Sequence, residues 1–141
     1  MLAKLARVVN CQLRPFLTHA SNGLRAVLRW CRESGLKEAD VRGLRLLKEW
    51  LSPEQLAQYD IHKYFDVIGC QTGRRYRIRH GTSANICELD TAGRPRVGWC
   101  FIPRDDLVAG DVMLAQKIAL EADEDAALRV AKKFTPKWLS L

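Results

Sequence analysis

Four short runs decide the fold: Phe65-Asp66-Val67-Ile68, Arg75-Tyr76-Arg77-Ile78-Arg79, Asn85-Ile86-Cys87-Glu88-Leu89-Asp90 and Arg96-Val97-Gly98-Trp99-Cys100-Phe101-Ile102. Apolar residues recur at every second position, the period of a strand with one buried face. Turn-forming residues separate the runs: Gly69 to Gly73, Gly81 to Ala84, and Thr91-Ala92-Gly93. Consecutive strands joined by short turns pair antiparallel, so the pattern predicts a four-stranded meander.

Centring each turn gives an expected register. Asp66 falls opposite Arg77, Arg77 opposite Glu88, and Glu88 opposite Arg96, while Phe65 faces Ile78, Ile78 faces Cys87 and Cys87 faces Val97. The expected inner face is Phe65, Val67, Tyr76, Ile78, Cys87, Leu89, Val97, Trp99 and Phe101. On the outer face Asp66, Glu88 and Asp90 would match much of the arginine run by cross-strand pairing. Arg79 and Arg94 are left without an obvious acid.

Helical patterns flank the meander. Val41, Leu44, Leu47 and Leu51 recur at helical spacing, with Asp40 as the expected cap. Ser52-Pro53-Glu54-Gln55 is a capping-box signature with proline at the first helical position, and it starts a second short helix. After Pro103, Asp111 is the expected cap of a helix bearing Met113, Leu114, Ile118 and Ala122. Asp123-Glu124-Asp125 marks where that helix either continues or restarts, with Leu128, Ala131 and Phe134 extending the stripe. The expected class is therefore α+β: a helical hairpin, a four-stranded antiparallel meander, and a C-terminal helix or helix pair on one sheet face.

The net charge of +7 is uneven. Residues 1–48 hold ten Lys or Arg and three acids, whereas residues 49–141 hold thirteen of each. The basicity thus belongs to the N-terminal segment, 1–40, which precedes a domain at 41–134 and an apolar tail at 135–141. Leu2, Leu5, Val8, Val9, Leu13, Phe16 and Leu17 form an apolar stripe, with Lys4, Arg7 and Arg14 on the other side. Arg25, Arg29 and Arg32 continue the basic side, and Gly35 is an expected stop. Three readings of this segment stay open: a helical extension packed on the domain or an over-extended start, a basic amphipathic surface for nucleic acid or anionic membrane, and an organellar targeting peptide.

Other chemistries find little support. The five cysteines, Cys11, Cys31, Cys70, Cys87 and Cys100, are odd in number and lack C-x-x-C spacing. They read as small buried side chains in a reducing cytoplasm, with neither a disulfide framework nor a zinc site. The glycines are turn glycines and form no phosphate-binding loop, so no cofactor is expected. His80, Ser83, Asn85 and Cys100 have the composition of a nucleophile and base, but strand alternation sends His80 and Cys100 to opposite faces; no catalytic residues are expected. Asp105, Asp106 and Asp111 lack the spacing of a calcium loop. No apolar run approaches the ~20 residues of a membrane span.

Residues 44–134, with Trp-Leu-Ser-Pro-Glu-Gln at 50–55, Arg-Tyr-Arg-Ile-Arg at 75–79, Gly-Trp-Cys-Phe-Ile-Pro at 98–103 and Asp-Val-Met-Leu-Ala-Gln-Lys at 111–117, resemble a family of small uncharacterised bacterial proteins. The resemblance implies a compact domain and transfers no site residue. The functional expectation is a non-enzymatic binding or adaptor module that contacts nucleic acid or another polyanion through Lys4, Arg7, Arg14, Arg25, Arg29 and Arg32, with Arg79 and Arg94 secondary. The alternative is an interaction subunit or homo-oligomer that uses the apolar N-terminal face and Trp138 and Leu139 of the tail.

Overall fold

The computed structural model describes residues 25, 28, 29, 35 and 37–136. The chain divides into two compact units, Met1–Glu38 and Ala39–Leu141. In the first, Arg25, Leu28, Arg29 and Gly35 are helical and exposed. Gly35 therefore does not act as a stop; a single glycine costs a helix only about 1 kcal/mol, too little to end it alone.

Helix α1 spans residues 37–50, so Asp40 lies inside the helix and does not cap it. Leu47 and Leu51 are buried and Leu44 partly so, but Val41, expected beside them, is exposed. Ser52 then starts helix α2 (Pro53–His62) by the expected capping box. Its Oγ accepts from the Gln55 amide at 3.2 Å, and Gln55 Oε1 accepts from the Ser52 amide at 3.1 Å. Lys63 closes the helix in the left-handed conformation, at φ 58°. That turn delivers the chain into strand β1 (Tyr64–Ile68).

Strands β2 (Arg75–Arg79), β3 (Ile86–Leu89) and β4 (Pro95–Cys100) follow in meander order, all antiparallel. A fifth strand, β5 (Lys132–Phe134), pairs with β4. The sheet therefore has five strands, where the sequence suggested four and a helix running through Phe134. The Phe134 ring lies across Gly98 of β4, a position with no side chain to displace it.

The register confirms one hairpin and corrects two. Asp66 pairs with Arg77 and Phe65 with Ile78, as expected. Between β2 and β3, however, Arg77 pairs with Cys87, Tyr76 with Glu88 and Ile78 with Ile86. The loop there closes one residue tighter, with the Arg79 amide bonded to the Asn85 carbonyl at 2.8 Å and Ala84 in the left-handed region at φ 50°. Between β3 and β4 the turn itself is the expected one, Leu89 pairing with Pro95, but an irregularity follows and Glu88 pairs with Val97, leaving Arg96 as the extra residue. A one-residue slip exchanges the faces. Cys87 and Leu89 thus move to the outer face, and Glu88 moves to the inner face with Phe65, Val67, Tyr76, Ile78, Ile86, Val97 and Trp99.

Helix α3 (Ala109–Ala122) begins after Val108, which makes no side-chain cap bond. Asp111, the expected cap, sits in the first turn instead, where its charge still favours the helix N-terminus. Val112, Met113, Leu114, Gln116 and Leu120 are buried, whereas Ile118 and Ala122 are exposed. Asp123 breaks the run, and its carboxylate accepts from the Ala126 amide at 3.0 Å to start helix α4 (Glu124–Val130). The stretch is two helices, with a strand after them. Helices α1 and α3 approach backbone to backbone at two glycines. A Cβ on Gly43 would stand 2.7 Å from Val108 Cγ2, and one on Gly110 would collide with the Gly43 carbonyl. The core joins Leu47, Leu51 and Tyr59 to Phe65, Val67, Tyr76, Ile78, Ile86 and Trp99, and these to Met113, Leu114, Leu120 and Ala127.

Candidate functional site

The outer sheet face follows directly from the register. Arg75, Arg77 and Arg79 share it with Tyr64, Asp66, Cys87, Leu89 and Lys132. Asp66 accepts two hydrogen bonds from Arg77, at 2.8 Å from Nε and 3.0 Å from Nη2. Arg75 Nε stands 4.0 Å from the same carboxylate. The Arg77 guanidinium lies 3.9 Å from the Tyr64 ring centre and that of Arg79 lies 5.7 Å from it. His62 stacks on Tyr64 at 5.2 Å, with 12° between the planes. Cations on aromatic faces are attracted by the ring quadrupole, and the stack lies at the partly buried start of β1. Cys87 is fully buried beneath these side chains. Burial raises its thiol pKa despite the nearby arginines, so it stays a thiol and packs as a small apolar group.

A second feature lies at the end of the sheet where the β1–β2 and β3–β4 turns sit side by side. There Thr72, Arg74, Arg75, Glu88, Leu89, Asp90, Thr91 and Arg96 line a groove of about 390 Å³. Its two walls are built differently. The β3–β4 turn is held by Asp90, whose Oδ1 accepts from the Ala92 and Arg94 amides at 2.9 and 2.8 Å and whose Oδ2 accepts from Arg94 Nε at 2.9 Å. The Arg94 amide is the leading cause of a lowered Asp90 pKa. The β1–β2 turn is held by Glu124 at the start of α4, which is fully buried. Tyr76 Oη and Thr72 Oγ1 donate to its Oε1 at 2.6 and 2.5 Å, and the Gln71 and Thr72 amides donate to its Oε2 at 3.1 and 2.8 Å. Burial alone would raise the Glu124 pKa, but these hydrogen bonds outweigh it and the net shift is downward. Tyr76 is pushed strongly upward by burial and by the same carboxylate. Gly69 leaves the room this needs, because a Cβ there would occupy the Glu124 carboxylate.

Glu88 stands apart from both. Only 6% exposed, it faces the groove from the inner side of β3. Its nearest cation is Arg74 Nη1 at 3.7 Å, too long for a hydrogen bond.

The residues expected to carry function fare unequally. Lys4, Arg7, Arg14, Arg32, Trp138 and Leu139 lie outside the described residues. Arg25 and Arg29 are exposed on helix in the first unit. Arg79 is on the outer face over Tyr64. Arg94, expected to lack an acid, is paired with Asp90. Arg79 and Arg94 lie at opposite ends of the sheet, so the fold does not bring these two together. His80 is held by Tyr59, whose hydroxyl is 2.8 Å from His80 Nδ1. Asn85 exchanges hydrogen bonds with Gln116 at 2.9 Å in each direction, deep in the interior. What sequence reasoning missed is the groove. The signal was present in Ile86-Cys87-Glu88-Leu89, an acid inside an apolar run with no short-range partner.

Among the described residues no helix is long and apolar enough to cross a membrane. Comparison of the chain with protein-family models, with curated proteins and with solved structures gives no match, so the functional reading rests on the geometry of the face and the groove.

Proposed function

We propose that the chain is a small non-enzymatic binding module for nucleic acid or another polyanion, which it engages through its basic segment at residues 1–40 and through the outer sheet face. One observation carries the reading. The register removes Glu88 from the outer face, so the strands present Arg75, Arg77, Arg79 and Lys132 there against Asp66. A row of cations suits a chain of phosphates, and the adjacent Tyr64–His62 stack offers the flat surface on which unpaired bases pack. Arg25 and Arg29 add exposed positive charge in the first unit.

The test is binding of the full-length protein to a labelled single-stranded oligonucleotide across a salt series. The double variants R75E/R79E and R25E/R29E are measured alongside. For single strands log K falls with log salt by about 0.7 per phosphate contact, and each double variant is expected to flatten that slope. Binding that is absent, or indifferent to salt, overturns the proposal.

A second reading has its own support. Val41, Trp50 and Ile61 are exposed on α1 and α2 at 67%, 59% and 73%. Large apolar side chains in water favour a protein partner or a second copy. Under this reading Trp138 and Leu139 of the tail add further apolar side chains for a partner. Light scattering that gives a monomer at all concentrations tells against self-association.

A further inference from the structure

We propose that the groove between the β1–β2 and β3–β4 turns recognises a guanine base carrying a phosphate, with Glu88 reading the base and Arg74, Arg75 and Arg96 holding the phosphate. The inference goes beyond the polyanion reading and shares Arg75 with it, but does not depend on it, because its selectivity comes from Glu88, which is not part of the outer face.

The argument starts from Glu88. A carboxylate offers only acceptors, about four lone-pair directions. The Glu88 residue is more than nine-tenths buried, its carboxylate oxygens open onto the groove, and its nearest cation, Arg74 Nη1 at 3.7 Å, leaves hydrogen-bonding positions on it to be filled from the groove. Its situation contrasts with Glu124, which is buried and saturated by four donors. A ligand with two adjacent N–H groups would complete Glu88. Guanine has that pattern on its Watson–Crick edge, N1–H beside the N2 amino group, and can meet both carboxylate oxygens at once. Adenine places an acceptor beside its amino group, and uracil places acceptors on both sides of its N–H.

The walls select the other half of the ligand. Asp90 is consumed by Arg94 and the turn amides, and Thr72 by Glu124 and the Arg74 amide. The remaining charged groups besides Glu88 are cationic: Arg74, with a side chain 55% exposed, Arg75 and Arg96, with the Thr91 hydroxyl beside them. Arg75 reaches across the β3–β4 turn, its Nη2 only 2.9 Å from where a Cβ on Gly93 would stand. Arg96 is the residue inserted at the register shift, and such insertions re-aim a side chain. Several guanidinium groups match a phosphate dianion better than a single carboxylate, which argues against a free amino acid. Guanidinium planes also stack on bases. The volume, about 390 Å³, lies within the range of small-molecule sites, roughly 300–1,000 Å³.

The probe is guanosine monophosphate, titrated calorimetrically into the full-length protein, with adenosine monophosphate and guanosine as controls. A bidentate base contact discriminates by roughly 10- to 100-fold, and a preference of that size for guanosine over adenosine monophosphate is expected. E88Q, nearly isosteric, presents a donor beside an acceptor and should abolish or invert the preference. R96A, at an exposed position, should weaken guanosine monophosphate while leaving guanosine unchanged. A second arm compares short oligonucleotides with and without one guanine. A response to the mononucleotide identifies a free nucleotide as a source of the ligand, and a response only to the guanine oligonucleotide identifies a strand; either supports the site. Equal affinity for the two mononucleotides, unchanged in E88Q, overturns it, as does no binding in either arm. Salt-dependent oligonucleotide binding without base preference would overturn this inference and leave the polyanion proposal standing.

Discussion

Replacing Glu124 by Gln should destabilise the protein by about 2–4 kcal/mol. The carboxylate is fully buried and accepts four hydrogen bonds, two from hydroxyls and two from backbone amides. A hydrogen bond to a charged group contributes about 1.5–3 kcal/mol and a neutral one about 0.5–1.5, so neutralising the acceptor weakens every bond in the cluster. The new amide NH2 can be received by a hydroxyl that rotates, which keeps the cost below four full losses. Tyr76→Phe removes one of the four and should cost about 1.5–3 kcal/mol. Because the two residues share a bond, the double variant should lose less than the sum of the singles. Acid should reproduce the effect. The folded Glu124 pKa is below its ordinary 4.5, so its contribution is complete above about pH 4.5 and disappears as pH falls through the folded value. Urea unfolding at pH 7 and in the acid range measures both. If E124Q unfolds within about 0.5 kcal/mol of the parent at pH 7, the scatter of an ordinary surface change, and keeps the parent's acid sensitivity, the carboxylate does not hold the β1–β2 turn.

Other consequences are as direct. Gly110→Ala drives a methyl into the Gly43 backbone and should cost about 1–3 kcal/mol by chemical denaturation, whereas Gly43→Ala meets side chains that can move, the Val108 methyl and the Asp111 carboxylate, and should cost less. Ser52→Ala removes the cap of α2 and should lower stability by about 1 kcal/mol in the same assay. Gln116→Leu strands the Asn85 side-chain oxygen inside the core and should cost about 1–3 kcal/mol, and making Asn85 apolar as well should not restore the loss, because its amide also donates to the Arg79 and Gly81 carbonyls.

The sequence carried the strands, the first hairpin and the Ser52 capping box because each is set by local chemistry: period-2 alternation, turn residues and a side chain that reaches three residues onward. It did not carry the register of β2 on β3. That depends on whether the loop from His80 to Ala84 closes with an odd or an even count, which a left-handed Ala84 decides, and alanine advertises no such conformation. Nor did it reveal the shift after Leu89, where pairing departs from the turn's own geometry. These two slips reversed the meaning of the arginine run, which had looked neutralised by Glu88, and turned that glutamate toward the groove. The Glu124 cluster was equally hidden. Asp123-Glu124-Asp125 reads as a charged helix start, and only the fold brings the middle acid onto a turn more than fifty residues earlier in the chain.

The capping box of α2 reaches further than the helix it starts. The Gln55 amide that closes the box also donates from Nε2 to the Asp66 carbonyl at 2.9 Å, and Gln58 Oε1 accepts from the Asp66 amide at 2.9 Å. Asp66 lies on β1, the first strand of the sheet, and these are the backbone groups that an incoming strand would seek. Two glutamines one helical turn apart thus imitate a neighbouring strand for one residue. Runaway sheet growth from this side, as in fibril formation, would first have to unseat helix α2, which is anchored in the core by Tyr59.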